Sequence, residues 1–285
     1  MKKILVLLVL LCANFLAFAQ GVEVASSEEY TNPLQQGYWK AVLGQDETGF
    51  YVLSEEGPIN NTVIMVEKFS HQLKPIFRTQ LINAAGTFND SYLHRDAMYG
   101  KGNLVQFIEG WNKAKQQNAL YVQQFNLEDG RPAGEQILLE TEASESQMKA
   151  STFKYSFSPD GSKLLVITEK PFVKGGKEGM RLQVFNTSDY TPIWKNDLVL
   201  ETPSERNPVQ EIAVNNEGVA YVFKDLQNDL KERLFHIFTV DGSKVKRHEI
   251  ALTDLNRGQF KVQVDYNGNL IAAGTLAPKG KPSNN

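Results

Sequence analysis

Phe153 to Thr168 reads FKYSFSPDGSKLLVIT, two runs of alternating apolar and polar residues joined by Ser158-Pro159-Asp160-Gly161. Alternation with a period of two puts every second side chain on one face of an extended strand. A Pro-Asp-Gly corner then reverses the chain, since Pro fixes φ at the first corner and Gly supplies the positive φ that closes the turn. The stretch is therefore a β-hairpin, and a chain built from copies of it has few folds open to it.

Copies are present. Glycines that end one alternating run and begin the next stand at Gly49, Gly102, Gly161, Gly218 and Gly268, separated by 53, 59, 57 and 50 residues. Periods of 40 to 60 residues are the signature of a propeller, whose blades are four-stranded antiparallel sheets. Each interval holds the material for such a blade: Val63–Val66 and Pro75–Phe77, Ala119–Val122 and Gln136–Leu139, Leu182–Phe185 and Pro192–Trp194, Leu234–Phe238 and Val245–Ile250 read as third and fourth strands. No stretch has sustained helical periodicity. The predicted fold is an all-β propeller of four complete blades, approximately 37–84, 85–143, 144–203 and 204–255, and a partial fifth, 256–285. Because the sequence stops inside a repeat, it reads as a piece of a longer propeller. The alternative is that Val22–Ala25 add a strand and close the ring.

In each blade the first strand should line the central channel and be the most apolar, on alternate positions. Phe153, Tyr155 and Phe157, Ile212 and Val214, and Phe260, Val262 and Val264 obey this. Trp39, Trp111 and Trp194 read as packing between sheets, in line with the burial preference of large aromatics.

Residues 1–19 read as an export signal, with Lys2 and Lys3 ahead of the apolar run Ile4–Leu11 and a small-x-small site at Ala17-Phe18-Ala19. The run is too short for a membrane span of roughly 20 residues. Leu11 before Cys12 disfavours a lipoprotein site, and residues 20–36 form an N-terminal segment ahead of the propeller. Removal of the signal takes away the single cysteine, and with it any disulfide or thiolate chemistry. It leaves 28 basic against 33 acidic residues, so the formal charge moves from −3 to −5. This argues against nucleic acid or an anionic membrane as the main partner. The expected location is periplasmic or extracellular.

The hairpin SFSPDGSKLLVIT, residues 156–168, resembles the SPDG-type repeat of TolB-like and WD-like bacterial propellers. The other units keep its frame with weaker turns, Asn216-Glu217-Gly218 and Tyr266-Asn267-Gly268, and lack the WD-type Gly-His and Trp-Asp dipeptides. The resemblance implies a rigid binding platform with no particular activity attached.

Catalytic motifs are sparse. His94-Arg95-Asp96 matches part of a kinase loop but without its partner motifs, and its place before Gly102 makes it a first strand with His94 and Asp96 on one face, the channel or a contact between blades. His71, His94, His236 and His248 show no zinc spacing, and no G-x-S-x-G occurs. Gly175-Gly176 lacks the Lys-Ser/Thr of a phosphate loop. Asp160 and Asp241 sit in different turns of their blades and should not converge. No metal, cofactor or catalytic residue is expected.

The most suggestive feature is positional. The connections from second to third strand, Gly110–Asn118, Pro171–Gly179 and Gln227–Arg233, would meet on one rim and gather Lys113, Lys115, Lys174, Lys177, Lys231 and Arg233. The sequence thus predicts a non-enzymatic protein- or glycan-binding scaffold at the cell envelope, its basic rim a docking face for an acidic protein segment or an anionic glycan. The alternative is a carbohydrate-active or other hydrolytic propeller with carboxylates in its channel. The two readings separate on whether Asp and Glu side chains of different blades meet there.

Overall fold

The computed structural model describes residues 38–56, 63–81, 93–100, 102–146, 149–203, 209, 211–227, 233–251 and 255–278. The export signal, the segment 20–36 and Lys231 lie outside the described residues. Of His94, Arg233 and Phe260 the backbone alone is described.

The chain folds as an all-β propeller of antiparallel sheets. Blade one is β1 (Tyr38–Asp46), β2 (Gly49–Glu56), β3 (Val63–Phe69) and β4 (Pro75–Gln80). Blade two is β5 (Leu93–Gly100), β6 (Asn103–Asn112), β7 (Gln117–Phe125) and β8 (Pro132–Ala143). Blade three is β9 (Thr152–Phe157), β10 (Lys163–Glu169), β11 (Lys177–Asn186) and β12 (Pro192–Pro203). Blade four is β13 (Glu211–Val214), β14 (Ala220–Gln227), β15 (Arg233–Asp241) and β16 (Lys244–Ala251). A two-stranded sheet follows, β17 (Leu255–Val264) and β18 (Leu270–Pro278). Within each sheet the strands lie side by side in chain order.

Four apolar clusters lie in the four seams between successive sheets. Tyr51 and Leu53 of blade one meet Ala97, Leu104 and Phe125 of blade two. Val105, Phe107 and Val122 meet Phe153, Leu164 and Val166 of blade three. Leu165, Ile167 and Leu182 meet Val214, Val222 and Val240 of blade four. Ala213 and Phe223 meet Val262 and Val264.

These seams correct the expectation that the first strand is the most apolar. Leu164, Leu165, Val166 and Ile167 of β10 are all fully buried, as are Leu104, Val105, Phe107 and Ile108 of β6. A second strand has a neighbouring blade against each face, so both of its side-chain sets are in the core and its sequence is continuously apolar. The first strand pairs only with the second. Its other edge faces the channel, so it keeps the alternation and lies half-exposed.

Cations reach across the seams as well. Lys68 of β3 donates to the Leu127 carbonyl of blade two at 3.1 Å while pairing with Asp46 at 3.0 Å. Arg181 of β11 pairs with Glu142 of blade two at 2.8 Å, and the fully buried Lys224 of β14 pairs with Glu178 of blade three. Neighbouring turns are also tied together: the Asp160 N–H donates to Asn216 Oδ1 at 3.1 Å, and the Trp194 indole donates to the Gly218 carbonyl at 3.0 Å.

Four of the five repeat glycines do what the sequence asks of them. Gly102, Gly161, Gly218 and Gly268 have φ of 79°, 72°, 86° and 81°. Gly49 is glycine for another reason. A Cβ there would stand 1.9 Å from the Phe69 carbonyl oxygen, in the rung that pairs β2 with β3. At Gly102 a Cβ would meet nothing. Gly102→Ala should therefore cost only the left-handed strain, about 1 kcal/mol, and Gly49→Ala, which must push backbone apart, about 2–3 kcal/mol. Urea unfolding followed by tryptophan fluorescence should rank them in that order.

Candidate functional site

The first strands of successive sheets surround a cavity of about 680 Å³, lined by Asp96 of β5, Lys154 and Ser156 of β9, Glu211 of β13 and Lys261 and Gln263 of β17, with Phe153, Tyr155, Ile212 and Val262 between them. Lys154 and Ser156 of β9 and Lys261 and Gln263 of β17 alternate with the buried Phe153, Val262 and Val264. The first strand is the inner edge of its sheet, so polar residues on either of its faces reach the channel.

Asp96 stands opposite Phe107 in the β5–β6 register and so shares its face. The Phe107 ring stacks on Tyr155 across the seam, centroids 3.8 Å apart and planes 20° from parallel. That contact brings the Tyr155 hydroxyl to Asp96, to which it donates at 3.5 Å, while the Ala97 N–H donates to the other Asp96 oxygen at 2.8 Å. Burial, with the negative charge of Asp96 and Glu109 nearby, pushes the Tyr155 phenol well above its ordinary range. The hydroxyl stays protonated and serves as a fixed donor. Across the cavity Lys261 Nζ pairs with Glu211 at 2.9 Å. Carboxylates of blades two and four and ammonium groups from β9 and β17 thus line one space.

Glu109 lies behind this wall on β6. Burial raises its pKa to about 7, against the opposing effect of hydrogen bonds from Asn118 and the Phe153 backbone. Asn118 Nδ2 donates to Glu109 at 3.0 Å and to the Ser151 carbonyl at 2.7 Å.

The residues expected to form a basic rim occupy equivalent connections. Lys113 and Lys115 are exposed between β6 and β7, and Lys174 is exposed between β10 and β11. Lys177 opens β11 and pairs with Glu201 at 2.7 Å. Arg233 opens β15. The connections are shorter than expected, because β6 continues through Trp111 and Asn112 and β7 begins at Gln117. Among the expected packing tryptophans, Trp39 is half-exposed against Phe69. His236 is buried and accepts from Arg247 at 2.9 Å. Asp160 and Asp265 accept hydrogen bonds within their own turns. Among the described residues, no three His, Cys, Asp or Glu side chains converge to hold a metal ion, and no helix is long and apolar enough to cross a membrane. Of the polar channel residues, reasoning from sequence reached Asp96 alone. Lys154, Glu211, Lys261 and Gln263 were legible only as the polar members of first strands.

No protein-family description matches the chain, and no curated protein does. Solved structures do. The β-propeller domain of the Trilobed protease from Pyrococcus furiosus, described as having an open velcro topology, aligns at a TM-score of 0.46 and 10% identity, over 87% of this chain and 85% of that one. The endo-arabinase from Bacteroides thetaiotaomicron aligns at 0.43 and 11%, over 92% and 99%. At such identities the likeness concerns the propeller frame and nothing finer. The expectation that the chain is not an enzyme does not stand beside these matches, one of which is an endo-arabinase; what that protein does is said of it alone.

The raised pKa of Glu109 has a measurable consequence. Between its ordinary value of 4.5 and about 7 the folded chain holds a proton that the unfolded chain has released. Stability therefore falls as pH rises through this window and levels off above it. Glu109→Gln removes the cost of the buried charge while keeping an acceptor for Asn118. Urea unfolding should show it more stable than the parent at pH 8, by up to about 3 kcal/mol, with the gain vanishing near pH 4.

Proposed function

We propose that this chain is a carbohydrate-active propeller that takes a glycan into its central channel and acts on it with the carboxylates of Asp96 and Glu211. The observation that carries the reading is that these two acids, from blades two and four, line the same cavity. Glycoside cleavage uses a pair of carboxyl groups flanking the scissile bond, one giving and one taking a proton or bonding to the sugar. Lys261 beside Glu211 and the Tyr155 hydroxyl on Asp96 place the two acids in different surroundings, one against a cation and one against a neutral donor. Lys154, Ser156 and Gln263 supply donors for sugar hydroxyls. The export signal read at residues 1–19 would place such a protein where extracellular glycans are met.

The test is release of reducing ends from a panel of polysaccharides. Asp96→Asn and Glu211→Gln should each slow release by at least about 100-fold, the usual contribution of a positioned acid or base, with binding retained. No release from any polymer, or release unchanged in both variants, overturns the reading.

A second surface has its own support. Lys113, Lys115 and Lys174 are exposed on equivalent connections of adjacent blades, so their charges add on one rim of an acidic chain. This rim docks an acidic protein segment or an anionic glycan. Reversing all three to Glu should abolish retention on a heparin column at low salt, and unchanged retention removes the idea.

A further inference from the structure

The channel has a second chamber, of about 590 Å³, where the hairpin turns of the first strands gather. It shares Ser156 and Gln263 with the inner cavity, so the two adjoin. Its chemistry is different. The inner cavity carries Asp96, Lys154, Glu211 and Lys261. None of the residues lining the outer one is charged; they are chiefly Gln45, Tyr99, Phe157, Pro159, Gln263 and Tyr266, with small residues between them.

Tyr266 is the unusual member. It is 79% exposed, the most exposed of the large apolar side chains among the described residues. The turn that carries it is held from below. Asp265 accepts from the Asn267 and Asn269 N–H groups at 2.9 and 2.8 Å, and the Gly268 N–H donates to the Asp265 carbonyl at 3.0 Å. A ring on a pinned turn at the lip of a concave chamber loses little freedom when something flat settles on it. The chamber wall is equally fixed. Tyr99 stacks on the buried Tyr51 at 4.6 Å, and Gly44 leaves no room for a Cβ, which would stand 2.6 Å from the Tyr99 ring. Gly100 is pressed in the same way against Phe157. Beside these rings, the Gln45 and Gln263 amides offer two donors and an acceptor each and carry no charge.

Fixed aromatic faces beside neutral amides suit a ligand with an apolar C–H face and a rim of hydroxyls. They bring no positive charge to a carboxylate or sulfate. We infer that the turn-side mouth is a saccharide subsite in which Tyr266 stacks on a neutral sugar ring and Gln45 and Gln263 bond its hydroxyls, so that the polymer taken by the channel is a neutral polysaccharide threaded in from the turn side. This rests on the channel reading above and adds the class of substrate, the entry face and the residue that selects for it.

The experiment uses the full chain in affinity electrophoresis against linear arabinan, xylan, mixed-linkage β-glucan and, as the charged comparison, polygalacturonate. The parent should be retarded by at least one neutral polymer and not by polygalacturonate. Tyr266→Ala should weaken the neutral interaction at least tenfold, Tyr266→Phe by less than twofold, and both should keep the parent's thermal midpoint. Equal retardation of Tyr266→Ala, preference for polygalacturonate, or no retardation by any neutral polymer overturns the inference. Neutral binding lost in Tyr266→Ala without release of reducing ends in the parent would sink the catalytic reading and leave the subsite standing. Release unaffected by Tyr266→Ala would do the reverse.

Discussion

The contact on which everything else depends is the burial of each second strand between two neighbouring blades. β10 has no solvent face: Leu164 and Val166 fill the seam towards blade two, and Leu165 and Ile167 the seam towards blade four. Four consecutive large aliphatic side chains in the core give the blade its main apolar burial. They also fix its register with β9 and β11, since a one-residue slip would exchange the two seams. With the seams set, the sheet has one inner edge left over, and that edge becomes the channel wall.

Charge in the seams does a different kind of work. Lys224 is fully buried and its partner Glu178 belongs to the next blade. A buried ion pair gains little net stability, because taking both ions out of water offsets their attraction, while losing either partner is expensive. What such a pair does supply here is identity. Arg181 meets Glu142 at the seam of blades two and three, and Lys68 reaches Leu127 at the seam of blades one and two, so each interface carries its own polar key within a generic apolar fill. Near-identical hairpins would otherwise pack in more than one order.

Much of the frame could be read from the chain, and the reason is local. Turn glycines at φ near 80° and alternating strands are encoded within a few residues, and Gly102, Gly161, Gly218 and Gly268 announce themselves. Gly49 looked like a fifth copy but is required by the approach of Phe69, a residue twenty positions away that no local rule contains. The site was less legible for the same reason. Asp96 was visible because it sits in a recognisable tripeptide, whereas Glu211 and Lys261 are ordinary polar residues until the stacking of blades brings them into one cavity. Glu109 acquires its raised pKa from burial, against hydrogen bonds from Asn118 and the Phe153 backbone that pull it down, and only the assembled seam supplies that burial.

The inner strands have a property that outlasts any one ligand. Along β9 the residues alternate between members of an apolar seam, Phe153 and Tyr155, and polar residues at the channel, Lys154 and Ser156. Exchanging Lys154 or Ser156 changes what the channel meets at that point while the aliphatic side chains of β10 that fill the seams stay as they are, so new specificities are reachable by one codon at a time.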